Sequence, residues 1–165
     1  MKKIGLLSDT HGSLPEKTKD FFKDCDEIWH AGDIGTHEVV EKLKAMKPLR
    51  AVYGNIDGLP IRTDFPEHAI FKIEDLVVVM MHIGGYPGRY SPKAKQLILQ
   101  YHPGLFISGH SHILKVIYDK KNKLLHINPG AAGHSGFHKK ITLMRFNINK
   151  DRIEDLEILE IDRKK

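Results

Sequence analysis

The sequence predicts a mixed α/β fold of two β-sheets with helices packed outside them. Two observations predict it. Short apolar runs alternate with helical patterns through the first two thirds of the chain, and from Ile113 onward the pattern is strand and turn only. Residues 3–8 are short, continuous and apolar, the mark of a buried strand. A helix is expected over 15–23, with Ser13 as its cap and Pro15 tolerated in its first turn. Residues 27–31 read as a second strand. Residues 36–46 read as a second helix, with Val39, Val40, Leu43 and Met46 on one face and Pro48 as its stop. A third strand follows over 49–53. This order implies parallel pairing through right-handed crossovers. Residues 67–73 alternate and 75–81 are continuously apolar, with the polar pair Glu74-Asp75 marking a hairpin turn. A helix over 91–101 carries Pro92 in its first turn, and 105–108 is another buried strand. Strands over 113–118, 124–128, 141–147 and 152–161 complete the chain, with turns at 119–123 and 149–151.

Composition narrows the class of protein. The chain has 165 residues, the size of one domain, and that domain is expected to span 1–165. With 41% hydrophobic and 28% charged residues it is globular, which excludes disordered and collagen-like chains. The single cysteine, Cys25, excludes an intramolecular disulfide and a cysteine-rich zinc site. The apolar run before Ser8-Asp9 is too short for a signal peptide, and residues 76–81 fall far below the ~20 needed to cross a bilayer. A cytoplasmic location without a membrane partner is therefore expected. The net charge of +5 is spread along the chain, apart from a basic tail at 163–165 that reads as a solvated terminus. That is no strong nucleic-acid signal. A homo-oligomer stays open. Eleven histidines are many for this length, and imidazole is the commonest metal ligand.

The polar residues at strand ends account for part of that excess. Strand one ends in Asp9-Thr10-His11-Gly12, strand two in Gly32-Asp33, and strand three in Gly54-Asn55-Ile56-Asp57. Residues 77–81 end in His82, and 105–108 end in Gly109-His110-Ser111-His112. Asp9, Asp33, Asn55, His82 and His110 recur every 22 to 28 residues, the spacing that consecutive units of one sheet would give. Ligands of open α/β sheets bind outside the carboxyl ends of strands, so these ends are expected to converge. In extended backbone Asp9 with His11, and His110 with His112, would each reach one side together. The oxygen and imidazole donors, without thiolate, suit divalent ions such as Mn, Fe or Zn. Seven donors exceed one tetrahedral site and fit two ions sharing a bridging ligand better.

The ordered set D-x-H, G-D, G-N, a lone His after a strand and G-H-x-H resembles the calcineurin-like metallophosphoesterases. The wording SDTHG, HAGD, VYGNID, ISGHSH and INPG is similar to their small prokaryotic phosphodiesterase branch. The resemblance implies a four-layer α-β-β-α sandwich of two mixed sheets flanked by helices, and a dinuclear metal site. Carried over by position, Asp9, His11 and His112 would hold one ion, Asn55, His82 and His110 the other, and Asp33 would bridge them. Asp33, Asn55 and His82 would stand closest to the reaction. Three positions depart from the pattern. Ile56 replaces the histidine that larger members use on the leaving group, His82 is followed by Ile83-Gly84 rather than Gly, and Ala131 stands where Ser is usual.

The expected activity is a metallophosphodiesterase, with a hydroxide bridging two divalent ions as nucleophile. Mn2+ is the expected ion, with Ni2+, Fe2+, Zn2+ or Mg2+ as alternatives, and a small phosphate ester is the expected partner. Phosphomonoester or nucleotide hydrolysis is the alternative, as is a scaffold of the same fold, such as the retromer scaffold subunit. Arg89 in GGYPGRY is the expected phosphate clamp, because a guanidinium matches phosphate geometry. His134 and His138 follow Asn128-Pro129-Gly130 and are weighed as neighbours of the site. His30 and Asp57 are weighed as supports of ligand residues. His37, His68, His102 and His126 are read as uninvolved, and Trp29 as core. No G-x-S-x-G, P-loop or G-x-G-x-x-G motif supports a rival chemistry.

Overall fold

The computed structural model describes residues 1–163, so Lys164 and Lys165 of the basic tail lie outside the described residues. The element order is β1 (Lys2–Leu7), α1 (Thr18–Phe21), β2 (Glu27–His30), α2 (His37–Met46), β3 (Leu49–Ala51), α3 (Ile61–Asp64), β4 (His68–Ile73), β5 (Leu76–Met81), α4 (Pro92–Tyr101), β6 (Leu105–Ile107), β7 (Lys115–Asp119), β8 (Leu124–Asn128), β9 (Lys140–Asn149) and β10 (Arg152–Asp162). They form two five-stranded mixed sheets, ordered β10-β9-β1-β2-β3 and β4-β5-β6-β8-β7. The parallel strands β1, β2 and β3 sit together in the first sheet, and β5, β6 and β8 in the second.

Alternation along each strand builds the layers. In β1, Ile4 and Leu6 enter the core between the sheets, while Leu7 faces the helices of the first sheet. In β5, Val78 and Met80 meet that same inter-sheet core, while Val79 and Met81 pack on Ala94, Leu97 and Ile98 of α4. Both faces are covered, which is why these strands read as unbroken apolar runs. The order of layers is therefore helices α1 to α3, first sheet, second sheet, α4. Trp29 is wholly buried at the centre, edge-on to Phe71 and Phe146 at 5.0 and 6.0 Å.

Several local expectations are corrected. The helix read over 15–23 is regular only at Thr18–Phe21, because the Pro15 carbonyl is engaged by both the Thr18 amide and the Thr18 hydroxyl. Ser13 does not cap it, and its hydroxyl has no partner among the described residues. The four-residue α3 is too short to leave a periodic signal in the sequence. The third strand stops at Ala51, since the Tyr53 amide turns away to the Pro66 carbonyl. The 22-to-28-residue spacing does not run through one sheet either. It reports the length of a strand-plus-connection unit, and the β4–β5 hairpin starts the second sheet without breaking that length.

His126 on β8 lies in the second sheet, stacked on Phe106 with ring centroids 5.6 Å apart. Burial pushes its pKa down to about 4 from the usual 6.5. The unfolded chain therefore takes up a proton before the folded one does. The stability linked to this group is complete above pH 6.5 and is lost as pH falls toward 4, by up to roughly 3 kcal/mol. Thermal melts of the metal-free protein between pH 7.5 and 4.5 check this, because His126→Phe should show a shallower acid decline than wild type. Parallel declines would refute it.

Candidate metal centre

The carboxyl ends of the parallel strands of both sheets point to one cleft. Among the described residues, two groups of side chains there can each hold a metal ion: Asp9, His11 and His112, and Asp33, His82 and His110. Each carboxylate has one oxygen held by the protein and one turned to the histidines. Asp9 Oδ2 accepts from the Ser8 hydroxyl at 2.7 Å and the His110 amide at 3.1 Å. Asp33 Oδ1 accepts the Ile56 amide at 3.1 Å. Asp33 Oδ2 is 3.4 Å from His11 Nε2 and 3.1 Å from His82 Nε2, so it faces both groups. Asp9 Oδ1 is 3.3 Å from His112 Nε2 and 3.7 Å from His82 Nε2.

The imidazole tautomers follow from their other partners. His82 Nδ1 donates to the Ala31 carbonyl at 2.8 Å, which leaves Nε2 bare and aimed at Asp33. His138 Nε2 donates to the Gly133 carbonyl at 2.8 Å, so its Nδ1 accepts from His112 Nδ1 at 3.2 Å. His112 then presents a bare Nε2 to Asp9. The loop carrying His138 approaches so closely that a Cβ on Gly136 would lie 2.4 Å from His112 Nδ1, and φ there is +129°.

These residues fit divalent ions. Asp9 Oδ1, His11 Nε2 and His82 Nε2 are buried and have no hydrogen-bond partner among the described residues, although all three face the same small space. Such atoms are costly unless something satisfies them. The charges point the same way. Burial would raise the Asp9 carboxyl, but the neighbouring His11, His112, His82 and Ser8 outweigh it and hold the group well below the usual carboxylate range. Burial would raise Asp33 too, and His82 beside it reverses the sign. His11 is raised by Asp9, and His82 is raised because Asp33 and Asp9 overcome its burial. A cleft that draws positive charge onto imidazoles is one that favours a cation.

Backbone strain builds the cleft. Asp9, His11, Asp33, His110 and His112 all have φ between 47° and 73°, a left-handed region that non-glycine residues rarely adopt. This corrects the expectation from extended backbone. Asp9 and His11 do join one group, but His110 and His112 turn to different groups. Gly54 is needed because a Cβ there would fall 2.1 Å from Asp33 Oδ1.

Supporting residues lie beneath. The Thr10 hydroxyl spends its proton on the Ile34 carbonyl at 2.8 Å, so it accepts from His30 Nε2 at 3.0 Å, and His30 Nδ1 accepts the Gly32 amide at 3.1 Å. Burial pushes the His30 pKa down to about 4, which keeps this ring neutral. Asp57 accepts the amides of Ile34, Gly35 and Gly54 at 3.1, 2.8 and 2.8 Å, locking the loop after β2 to the loop after β3.

Asn55 is exposed and lines a 220 Å³ pocket with His82, Ile83 and Arg62. Arg62 is a residue the sequence reading missed. Its guanidinium lies 4.5 Å over the Tyr53 ring and bonds the carbonyls of Asp57 and Asn55. Only its place on α3, an element the sequence did not reveal, brings it here. Arg89 is exposed on the loop before α4 and lines neither of the two pockets that contain ligand residues. His134 is exposed, and Arg163 binds its carbonyl.

Two stacked mixed sheets with an aspartate and histidine cluster at their strand ends are the frame of the metallophosphoesterase family. The chain belongs to the calcineurin-like phosphoesterase superfamily, whose domain model matches residues 1–151. It is 32% identical over 133 residues to a probable metallophosphoesterase of Methanothermobacter thermautotrophicus, covering 78% of this chain and 76% of that protein. It is similar in fold to a solved archaeal phosphodiesterase, with a TM-score of 0.77, 22% identity and coverage of 96% and 99% of the two chains. It is also similar in fold to the zinc-complexed Vps29 of Entamoeba histolytica, with a TM-score of 0.75, 17% identity and coverage of 98% and 99%. Among the described residues, no helix is long and apolar enough to cross a membrane.

Proposed function

We propose that the protein is a phosphodiesterase that works with two divalent ions, Mn2+ being the expected pair, on a small phosphate diester. The observation that carries the reading is Asp33, whose Oδ2 lies within 3.4 Å of one imidazole from each donor group, the position a bridging carboxylate needs. The ions would supply Lewis acidity at the phosphoryl oxygens and a hydroxide nucleophile at neutral pH. Asp9, His11 and His112 would hold one, and His82, His110 and the neutral amide of Asn55 the other. With only two ligand carboxylates, Asp9 and Asp33, the loaded centre keeps a net positive charge and attracts an anionic ester. His138 and the Ala31 carbonyl fix which nitrogens of His112 and His82 face the cleft. Ile56 offers no proton where larger relatives have histidine, so substrates with a good leaving group are favoured.

The test is metal analysis of the purified protein together with a phosphoester panel. The Mn-loaded protein should cleave bis-p-nitrophenyl phosphate faster than p-nitrophenyl phosphate, and chelation should stop it. Faster monoester turnover would make it a phosphomonoesterase. Metal binding without turnover of either ester would make it a binding protein of the same fold.

A further inference from the structure

Three ligand-bearing loops place an isoleucine directly after the ligand: Asn55-Ile56, His82-Ile83 and His112-Ile113. All three are exposed, by 48%, 47% and 57%. Beside the last of them stands Phe137, wholly exposed on the loop whose Gly136 and His138 pack against His112. Ile113 and Phe137 share a 470 Å³ pocket with His110 and His112, one histidine from each donor group. Among the described residues, no lysine, arginine, aspartate or glutamate lines this pocket, although the Arg163 guanidinium binds the Gly136 carbonyl of its loop. The pocket on the Asn55 side is different in kind, because Arg62 and Glu67 line it.

An occupant of the apolar pocket lies against the donor groups and meets a hydrophobic wall. An ion or a sugar alone would leave that wall wet. An aromatic ring joined to a phosphoryl group satisfies both ends. Resting on the phosphodiesterase reading above, we infer that this pocket seats an aromatic ester group of the diester, an aryl ring or a nucleobase, on Phe137 and Ile113. The seated group is the arm that stays after cleavage, so the substrate class is a diester whose non-leaving arm is planar and apolar, and Phe137 and Ile113 set that preference without touching the phosphoryl group.

Three substrates that each release p-nitrophenolate read the arm that stays: bis-p-nitrophenyl phosphate, thymidine 5′-p-nitrophenyl phosphate and methyl p-nitrophenyl phosphate. On the metal-loaded protein, the KM of at least one aromatic diester should be about tenfold below that of the methyl ester, the scale of one aromatic stack. A gain with thymidine supports a nucleobase occupant, and a gain confined to the aryl arm supports a non-nucleotide one. In Phe137→Ser and Ile113→Ser the ratio should collapse toward one. Both residues are exposed, so neither change removes core packing. Titration with diphenyl phosphate against dimethyl phosphate gives the same comparison as binding alone, and only the aryl compound should lose affinity in the variants. Equal KM values across the three substrates would overturn the inference, as would a preference that survives both substitutions. A dimer that dissociates in Phe137→Ser would also overturn it, by giving the apolar rim to a second copy. If no substrate is turned over, the phosphodiesterase reading fails, and the diphenyl phosphate titration decides the pocket separately: binding lost in the variants supports it, and no binding to wild type overturns it.

Discussion

Asp33→Ala is expected to lower turnover of bis-p-nitrophenyl phosphate by about a thousandfold or more and to reduce the tightly bound metal below two ions per chain. The reason is geometric. Asp33 Oδ2 faces His11 and His82, one imidazole from each donor group, and no other carboxylate within the centre approaches both this closely. In the proposed two-ion centre, its removal would leave the two donor groups without a shared anion. Asp33→Asn separates ligation from folding, because an amide oxygen still accepts the Ile56 amide while the bridging charge is gone. Both variants should keep the wild-type far-ultraviolet circular dichroism in the metal-free state. Elemental analysis, calorimetric metal titration and initial rates check the prediction. Wild-type turnover in Asp33→Ala would refute the shared-ligand reading.

Asp57→Ala should be the most damaging substitution outside the donor groups. Its carboxylate is 3% exposed and accepts three backbone amides from two loops. Losing it strands the buried amides of Ile34 and Gly54, besides the more open Gly35 amide, a cost of roughly 3 kcal/mol or more. For a chain of this size that is a fall in Tm of about 6 to 12 °C. The same change frees the loops that carry Asp33 and Asn55, so metal affinity should drop about 10- to 100-fold. Asp57→Asn should fall between, since it keeps the shape but accepts with one oxygen only. A wild-type melting curve and metal isotherm in Asp57→Ala would show that the two loops hold their positions without the lock.

The donor set was legible in the sequence because each member ends a strand and carries its own local signal. A buried strand reads as an apolar run, and a polar residue after it stands out. Parallel strands placed together put their carboxyl ends at one edge, so Asp9, Asp33, Asn55, His82 and His110 could be collected before any coordinates. The helix over 15–23 was not legible to the same degree, because competition by the Pro15 carbonyl for Thr18 is a matter of local geometry rather than of periodicity. Arg62 was hidden because α3 is one turn long and carries no period to detect. Arg89 drew notice through its glycine-rich context, yet its loop closes on itself through the Arg89-to-Tyr86 and Ser91-to-Gly84 backbone bonds.

The sequence by itself determined the alternation that builds two covered sheets, and it singled out the six residues that the fold gathers into two candidate donor groups. These are properties of short segments, set by side-chain type and by periods of two and 3.6 residues. The family resemblance implied how the donors divide, and the tertiary structure supplies the physical reason. His110 and His112, two residues apart, part to opposite groups because both adopt left-handed backbone. Asp9 meets His112, and Asp33 meets His82, across the gap between two sheets whose separate membership no spacing could reveal. His138 supports His112, and Asp57 joins two loops, through contacts between residues distant in the chain. A local pattern records which face a residue takes. What it will meet there is set by the packing of the two sheets against each other.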